Sequence, residues 1–234
     1  MSTVNAVNPM STRRYGRSVL VSALRLVARG WQQFVIVVVV NAVAQSLLSW
    51  AGLVPSSGGT FLLAAAASLV LLLLSLALIG STALESVDGR ARWGAVVGRV
   101  RSHAASYLLW TVLLLVAITA GLLVWVVPGI VVVALTPMVV VAALDGRRDA
   151  LRANFSAVRA RPGRWLVTAL LMALVVGGGW LAAVLTGLLV AGWLGPLVVW
   201  LGFGVLAAWF ECAWALLYRS TPVGSPEPIP VDVP

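Results

Sequence analysis

Residues 104–144 read AASYLLWTVLLLVAITAGLLVWVVPGIVVVALTPMVVVAAL, a run without a charged side chain. Arg99 and Arg101 precede it, and Asp145, Arg147 and Arg148 follow. One helix needs about 20 apolar residues to cross the hydrocarbon core of a bilayer. This run is long enough for two, and Pro128-Gly129 stands near its middle, where Gly and Pro end helices and make tight turns. It therefore predicts two spans, 104–126 and 129–144. The second is short and carries Pro137, and the topology hinges on it: were it not to cross, the following arginine loop would lie on the opposite side.

Two more uncharged runs flank this one. The first extends from Gly30 to Leu84 and is broken by Pro55-Ser56-Ser57-Gly58-Gly59. The other extends from Trp165 to Phe210, with Glu211 as its one interruption before Tyr218, and is broken by Gly192-Trp193-Leu194-Gly195-Pro196. They predict spans at 31–53, 60–84, 165–190 and 196–218. The expected fold class is thus an all-α membrane protein, with six transmembrane helices arranged as three hairpins. The organisation is a loose tail over 1–12, a six-helix domain over 13–218 and a Pro-rich disordered tail over 219–234. Composition agrees: 61% of the 234 residues are hydrophobic and 10% charged, against about 25% charged in soluble domains. The first run is too long for a signal-peptide core, so no cleaved leader is expected.

The net charge of +9 comes from 16 basic residues, all arginine. Each group of arginines borders an apolar run, and the three turns inside the hairpins carry none. This distribution points to anionic lipid headgroups rather than nucleic acid. Short basic loops stay in the cytoplasm, so both termini are expected there, in a multi-pass plasma-membrane protein. Trp31, Tyr107, Trp165 and Tyr218 fall at one expected aromatic belt, and Trp50, Trp125 and Trp193 at the other.

Each hairpin is preceded by a basic amphipathic segment. Leu20, Ala23, Val27 and Trp31 oppose Arg14, Arg17, Arg25 and Arg29. Trp93, Val97, Val100 and Tyr107 oppose Arg92 and Arg99. Leu151, Phe155 and Val158 oppose Arg148, Arg152 and Arg159. Helices of this kind lie in the headgroup plane, so these arginines are the expected lipid contacts.

Catalytic groups are scarce. His103 is the one histidine and Cys212 the one cysteine; no metal or other cofactor is expected. Asp145 and Asp149 sit among arginines, where they balance charge and start a helix. Gly202-Phe203-Gly204-Val205-Leu206-Ala207 matches a dinucleotide fingerprint only as text, because it lies inside an apolar span rather than after a strand. Gly177-Gly178-Gly179 reads as close helix packing or a local distortion. Glu211 is the sharpest residue. It lies eight positions before Arg219, about 12 Å inside the span end. Ionisable groups at that depth usually face the bundle interior, and Ala207, Ala208 and Ala215 leave room for a neighbouring helix. Asn41, Gln45, Thr136 and Pro137 complete a candidate intramembrane polar site.

One stretch carries a family likeness. Val127-Pro128-Gly129-Ile130 is followed by Thr136-Pro137, Asp145-Gly146, Ala150-Leu151-Arg152 and Arg164-Trp165. It resembles the six-helix membrane domain attached to some bacterial glycerophosphodiester phosphodiesterases and related integral membrane proteins. Ala153, Asn154 and Phe155 depart from that pattern, standing where Arg, Ser and an aromatic often occur. The resemblance implies a six-helix fold with interfacial helices. It does not imply phosphodiesterase activity, which in that family belongs to a separate barrel.

The reading is of a membrane protein without catalytic groups, a scaffold or accessory subunit held on anionic lipid and contacting a membrane protein partner. The alternative is a small permease or exporter working through Glu211. A polar cavity reaching Glu211 separates them: a transporter requires one, and a scaffold is packed shut. For the topology, Ser57→Cys is expected to be labelled by an impermeant maleimide on intact cells and Ser156→Cys to be protected. The parent, with Cys212 alone, sets the background; the reverse pattern would sink the six-span reading.

Overall fold

The computed structural model describes residues 12–50, 58–89, 91–190 and 192–221. The expected tails at 1–12 and 219–234 lie outside the described residues, except for Thr12 and residues 219–221. So do Pro55, Ser56 and Ser57 of the first turn.

The described residues fold as nine helices: α1 (Thr12–Arg29), α2 (Trp31–Trp50), α3 (Gly58–Val87), α4 (Trp93–Val124), α5 (Val126–Leu135), α6 (Val139–Leu144), α7 (Ala150–Ala160), α8 (Pro162–Leu189) and α9 (Leu194–Arg219). Five of them, α2, α3, α4, α8 and α9, are long and apolar enough to cross a membrane. α9 packs on α1, α2, α3 and α8 and forms the axis of the molecule. Its final turns are enclosed on most sides: Ala208, Phe210, Cys212, Ala213, Trp214, Ala215, Leu217 and Tyr218 are all buried. Gly204 admits α2 closely, since a Cβ there would lie 2.5 Å from Val38 Cγ1.

The dense core lies toward the arginine-rich end, built from Ala77 to Leu84 of α3, α6 and the last turns of α9. Away from it, α3, α4 and α8 present large apolar side chains outward, including Leu63, Leu123, Val124, Leu174 and Leu189. Exposed apolar surface this extensive is what lipid-facing helices carry and what water-facing ones avoid.

Three expectations need correction. The predicted fourth span, 129–144, is not one helix. α5 ends at Leu135 and α6 begins at Val139, and neither is long enough to cross alone. Pro137 supplies no N–H and cannot continue a helix without clashing with the preceding turn. The freed backbone groups are satisfied from outside. Asn154 of α7 accepts from Met138 N at 3.0 Å and donates to Leu135 O at 2.7 Å. Trp165 Nε1 of α8 donates to Ala134 O at 3.1 Å. α5 folds back on α4 with backbones nearly touching, as a Cβ on Gly121 would lie 2.7 Å from Gly129 N.

Second, the basic segment before residue 104 is not a separate interfacial helix. It is the first turns of α4, continuous over 32 residues and so about 48 Å long. No Gly-Pro pair or cap interrupts it.

The third correction concerns α7. Its buried face is Ala150, Ala153, Asn154 and Ala157, whereas Leu151 and Phe155 are exposed. Small residues allow α7 to lie close to the bundle. The larger apolar side chains then form a separate stripe, between the bundle face and exposed Arg148, Arg152 and Arg159. α1 also uses its apolar side for packing, with Ala23 and Leu26 buried and α9 as its main neighbour.

Asn154→Ala leaves two buried backbone groups of the α5–α6 break without partners. It is expected to destabilise by about 3 kcal/mol, read as a fall in unfolding midpoint in detergent. Leu151→Ala, one position past the buried face, is expected to stay within about 0.5 kcal/mol of the parent.

Candidate functional site

Glu85 and Asp88 are three residues apart at the end of α3, so both reach the same side. Arg99, in the second turn of α4, lies between them. Its Nε donates to Glu85 Oε1 at 2.7 Å, Nη2 to Asp88 Oδ2 at 3.1 Å and Nη1 to Asp145 Oδ1 at 3.2 Å. Arg219, the last residue of α9, closes the group. It holds Asp145 with both nitrogens, Nη1 to Oδ2 at 3.0 Å and Nη2 to Oδ1 at 2.8 Å, and Nη2 also reaches Asp88 at 2.9 Å. Tyr218 adds a hydroxyl to Asp145 Oδ2 at 3.2 Å. Side-chain exposure is 17% for Arg99, 14% for Arg219, 13% for Asp145 and 7% for Glu85. The bidentate Arg219–Asp145 pair has the geometry that gives guanidinium–carboxylate contacts their strength.

This cluster corrects the expectation for Arg99, which faces carboxylates instead of headgroups. The charge-balancing role expected of Asp145 is seen, with Arg99 and Arg219 as its partners. Asp149 takes the N-cap position of α7 but makes no capping hydrogen bond through its side chain. His103 is anchored locally, Nδ1 lying 3.1 Å from Arg99 O. Its ring fills the space beside Gly146, whose φ of +82° favours glycine. Of the other expected lipid contacts, Arg25, Arg29, Arg92, Arg148, Arg152 and Arg159 are exposed. Arg14 and Arg17 fall in α1, with side chains outside the described residues.

Sequence reading overlooked Glu85, Asp88 and Arg219 as a set. Their signal was available in the three-residue spacing of two acids at a span end, in a chain where acids are rare.

The candidate intramembrane residues are dispersed. Glu211 of α9 faces α3 at Gly80, where a Cβ would lie 2.8 Å from Leu144 Cδ1 and 3.6 Å from Glu211 Oε2. That oxygen is sealed from solvent and without a hydrogen-bond partner. Gln45 is engaged with Ser68 of α3, donating to its carbonyl at 3.0 Å and accepting from its hydroxyl at 2.6 Å. Thr136 bonds back to Val132 O at 2.6 Å, and Pro137 forms the α5–α6 break. Asn41 lines a cavity of about 300 Å³ between α2, α3, α8 and α9. The remaining lining is apolar apart from Ser75 and includes Met172, Trp200 and Phe203. The cavity reaches Ala207 and Phe210, and Glu211 is not part of its wall.

Two glycine motifs are resolved by position. Gly202 to Ala207 lies within α9, and Gly177 to Gly179 within an unbroken α8. Of the latter three, Gly179 alone meets a neighbour, Leu206. Comparison with family models, curated proteins and solved structures finds no match to this chain.

Arg99→Gln removes the charge shared by three carboxylates. Breaking a buried ion pair from one side costs about 3–5 kcal/mol, and partial exposure places this change toward the lower figure. The variant is expected to melt clearly below the parent in detergent, whereas Arg152→Gln, on the exposed side of α7, is expected to melt with it. Equal melting of Arg99→Gln and the parent would refute a clamping role.

Proposed function

We propose that this chain is a non-enzymatic scaffold or accessory subunit of the bacterial plasma membrane. It would span six times, with α5 and α6 together forming the fourth crossing, and both termini would be cytoplasmic. The broken crossing is workable because backbone away from helix geometry is tolerated at membrane depth where protein buries it. Asn154 and Trp165 provide that burial here. The absence of arginine from the turns inside the three hairpins supports the orientation. A distant relationship to the phosphodiesterase-linked membrane domains is part of this reading, carried by the motifs from Val127 to Trp165 and by the adjoining amphipathic α7.

The observation that carries the scaffold reading is the placement of Glu211 outside the wall of the neighbouring apolar cavity. A carboxyl that handles protons or substrate needs a polar route, and here Oε2 is sealed from solvent beside Gly80, although the residue as a whole is partly exposed. Some of the other polar groups in the long apolar helices tie helices together. Gln45 joins α2 to α3, and Tyr107 of α4 donates to Leu73 O of α3 at 2.6 Å. The exposed arginines would hold the basic end at the headgroups of anionic lipid, leaving the bundle for a membrane protein partner.

The permease alternative draws on the unpartnered Oε2 of the same residue. Glu211→Gln separates the two, since it keeps size and hydrogen-bonding ends. For a scaffold, the variant is expected to insert, melt within a few degrees of the parent and fully complement a deletion strain. A variant that is stable yet fails to complement, or loses a pH-driven flux, would overturn the scaffold reading.

A further inference from the structure

Arg29 closes α1, and Gly30 turns the chain into α2. At Gly30 the backbone passes so near α3 that a Cβ would lie 2.7 Å from Ser86 Oγ. Ser86 is fully buried and its hydroxyl has no hydrogen-bond partner. Beyond it the chain reverses at Gly89, with φ of +77°, and reaches α4 through Ala91 and Arg92. Gln33 Nε2 holds this link by donating to Ala91 O at 3.0 Å. Arg29, Ser86, Gly89, Ala91 and Arg92 enclose a cleft of about 340 Å³.

The cleft is built to accept negative charge. Arg29 and Arg92 are both exposed, and neither forms an ion pair among the described residues. α4 begins here with Arg92 as N-cap, without a side-chain cap or an acid in its first turn. The opening N–H groups of a helix lack internal acceptors and carry the positive end of its dipole. Asp88, the nearby acid, is committed to Arg99 and Arg219. Each guanidinium fork can donate to two oxygens of a phosphate, and a buried hydroxyl without an acceptor needs one. The volume equals on the order of ten liquid waters, room for a phosphate with a few attached carbons.

We propose that this cleft is a binding site for a phosphate group, with Arg29, Arg92 and Ser86 as its ligands. The phosphate comes either from the headgroup of an anionic lipid or from a free phosphate. This deepens the lipid-anchoring part of the proposed function and is independent of Glu211, so the two can fail separately.

The test uses the full chain in an uncharged maltoside detergent at fixed ionic strength. Dioctanoyl phosphatidic acid is titrated by native mass spectrometry, with dioctanoylglycerol as the phosphate-free control. Phosphatidic acid is expected to bind at least tenfold more tightly than dioctanoylglycerol. Arg29→Gln/Arg92→Gln is expected to weaken it at least tenfold. Arg152→Gln/Arg159→Gln, which removes the same charge from α7, is expected to change it less than threefold. Ser86→Ala is expected to weaken binding severalfold with an unchanged unfolding midpoint, and it serves as the test should the double variant misfold. Inorganic phosphate that displaces the lipid at comparable concentration identifies a free-phosphate site; failure to displace it identifies a headgroup site. Equal loss in the two double variants would reduce the effect to diffuse charge, and full binding by both Arg29→Gln/Arg92→Gln and Ser86→Ala would also overturn the proposal.

Discussion

Arg99 pairs with Glu85, Asp88 and Asp145, Arg219 pairs with the last two, and through these contacts the ends of α3, α4, α6 and α9 meet at one level. Each helix enters the cluster from a different part of the sequence, so the contacts join elements that local structure cannot join. The location is significant. Deeper in a bilayer, charges would cost more than their pairing returns; fully in water, the pairs would contribute little. At 7–17% side-chain exposure, Glu85, Arg99, Asp145 and Arg219 lie between these limits. Asp145 caps α6, so the cluster also fixes the direction in which the broken α5–α6 segment leaves the bundle.

That segment illustrates the second constraint, that backbone polar groups away from water need partners. Pro137 interrupts a helix where regular bonding would have satisfied every group. Asn154 makes good the loss by bonding to both sides of the gap. The same side chain anchors α7, whose Ala150, Ala153 and Ala157 allow the close approach. A single asparagine thus couples α7 to the break between α5 and α6. Trp165 repeats the arrangement from α8. The resemblance motif from Val127 to Trp165 coincides with this unit.

The functional reading follows from where polarity is placed. Gln45, Tyr107 and Trp165 are spent on helix ties, and the cavity between α2, α3, α8 and α9 is walled by apolar groups with Asn41 and Ser75 as the exceptions. The arginines left exposed lie on α1, at the start of α4, and on and just before α7. On the proposed reading, these arginines hold the molecule in position at a lipid surface. The cleft at Arg29 and Arg92 is where the proposed attachment would become specific, because the positive groups there line a concave site.

Run lengths and charge placement were enough to read an all-helical membrane protein from the sequence. They depend on the thickness of a bilayer and the cost of burying charge, which act on each segment alone. The breaks near Pro128-Gly129 and Gly192 to Pro196 were legible to within a few residues, being local backbone chemistry; the first falls at Trp125, with Pro128-Gly129 inside α5, and α9 already begins at Leu194. The roles of particular residues were not. Arg99 and Arg92 belong to one basic segment, yet one faces three acids and the other stays open. The difference arises from which side of α4 meets the ends of α3 and α6. Asn154 resembled a polar residue on an amphipathic helix until the gap at Pro137 lay opposite it. Glu211 was identifiable by its depth, but its enclosure depends on Gly80, 131 positions away in sequence. Segment chemistry is written residue by residue, whereas partnership depends on helix rotation and approach, which only packing of the whole bundle decides.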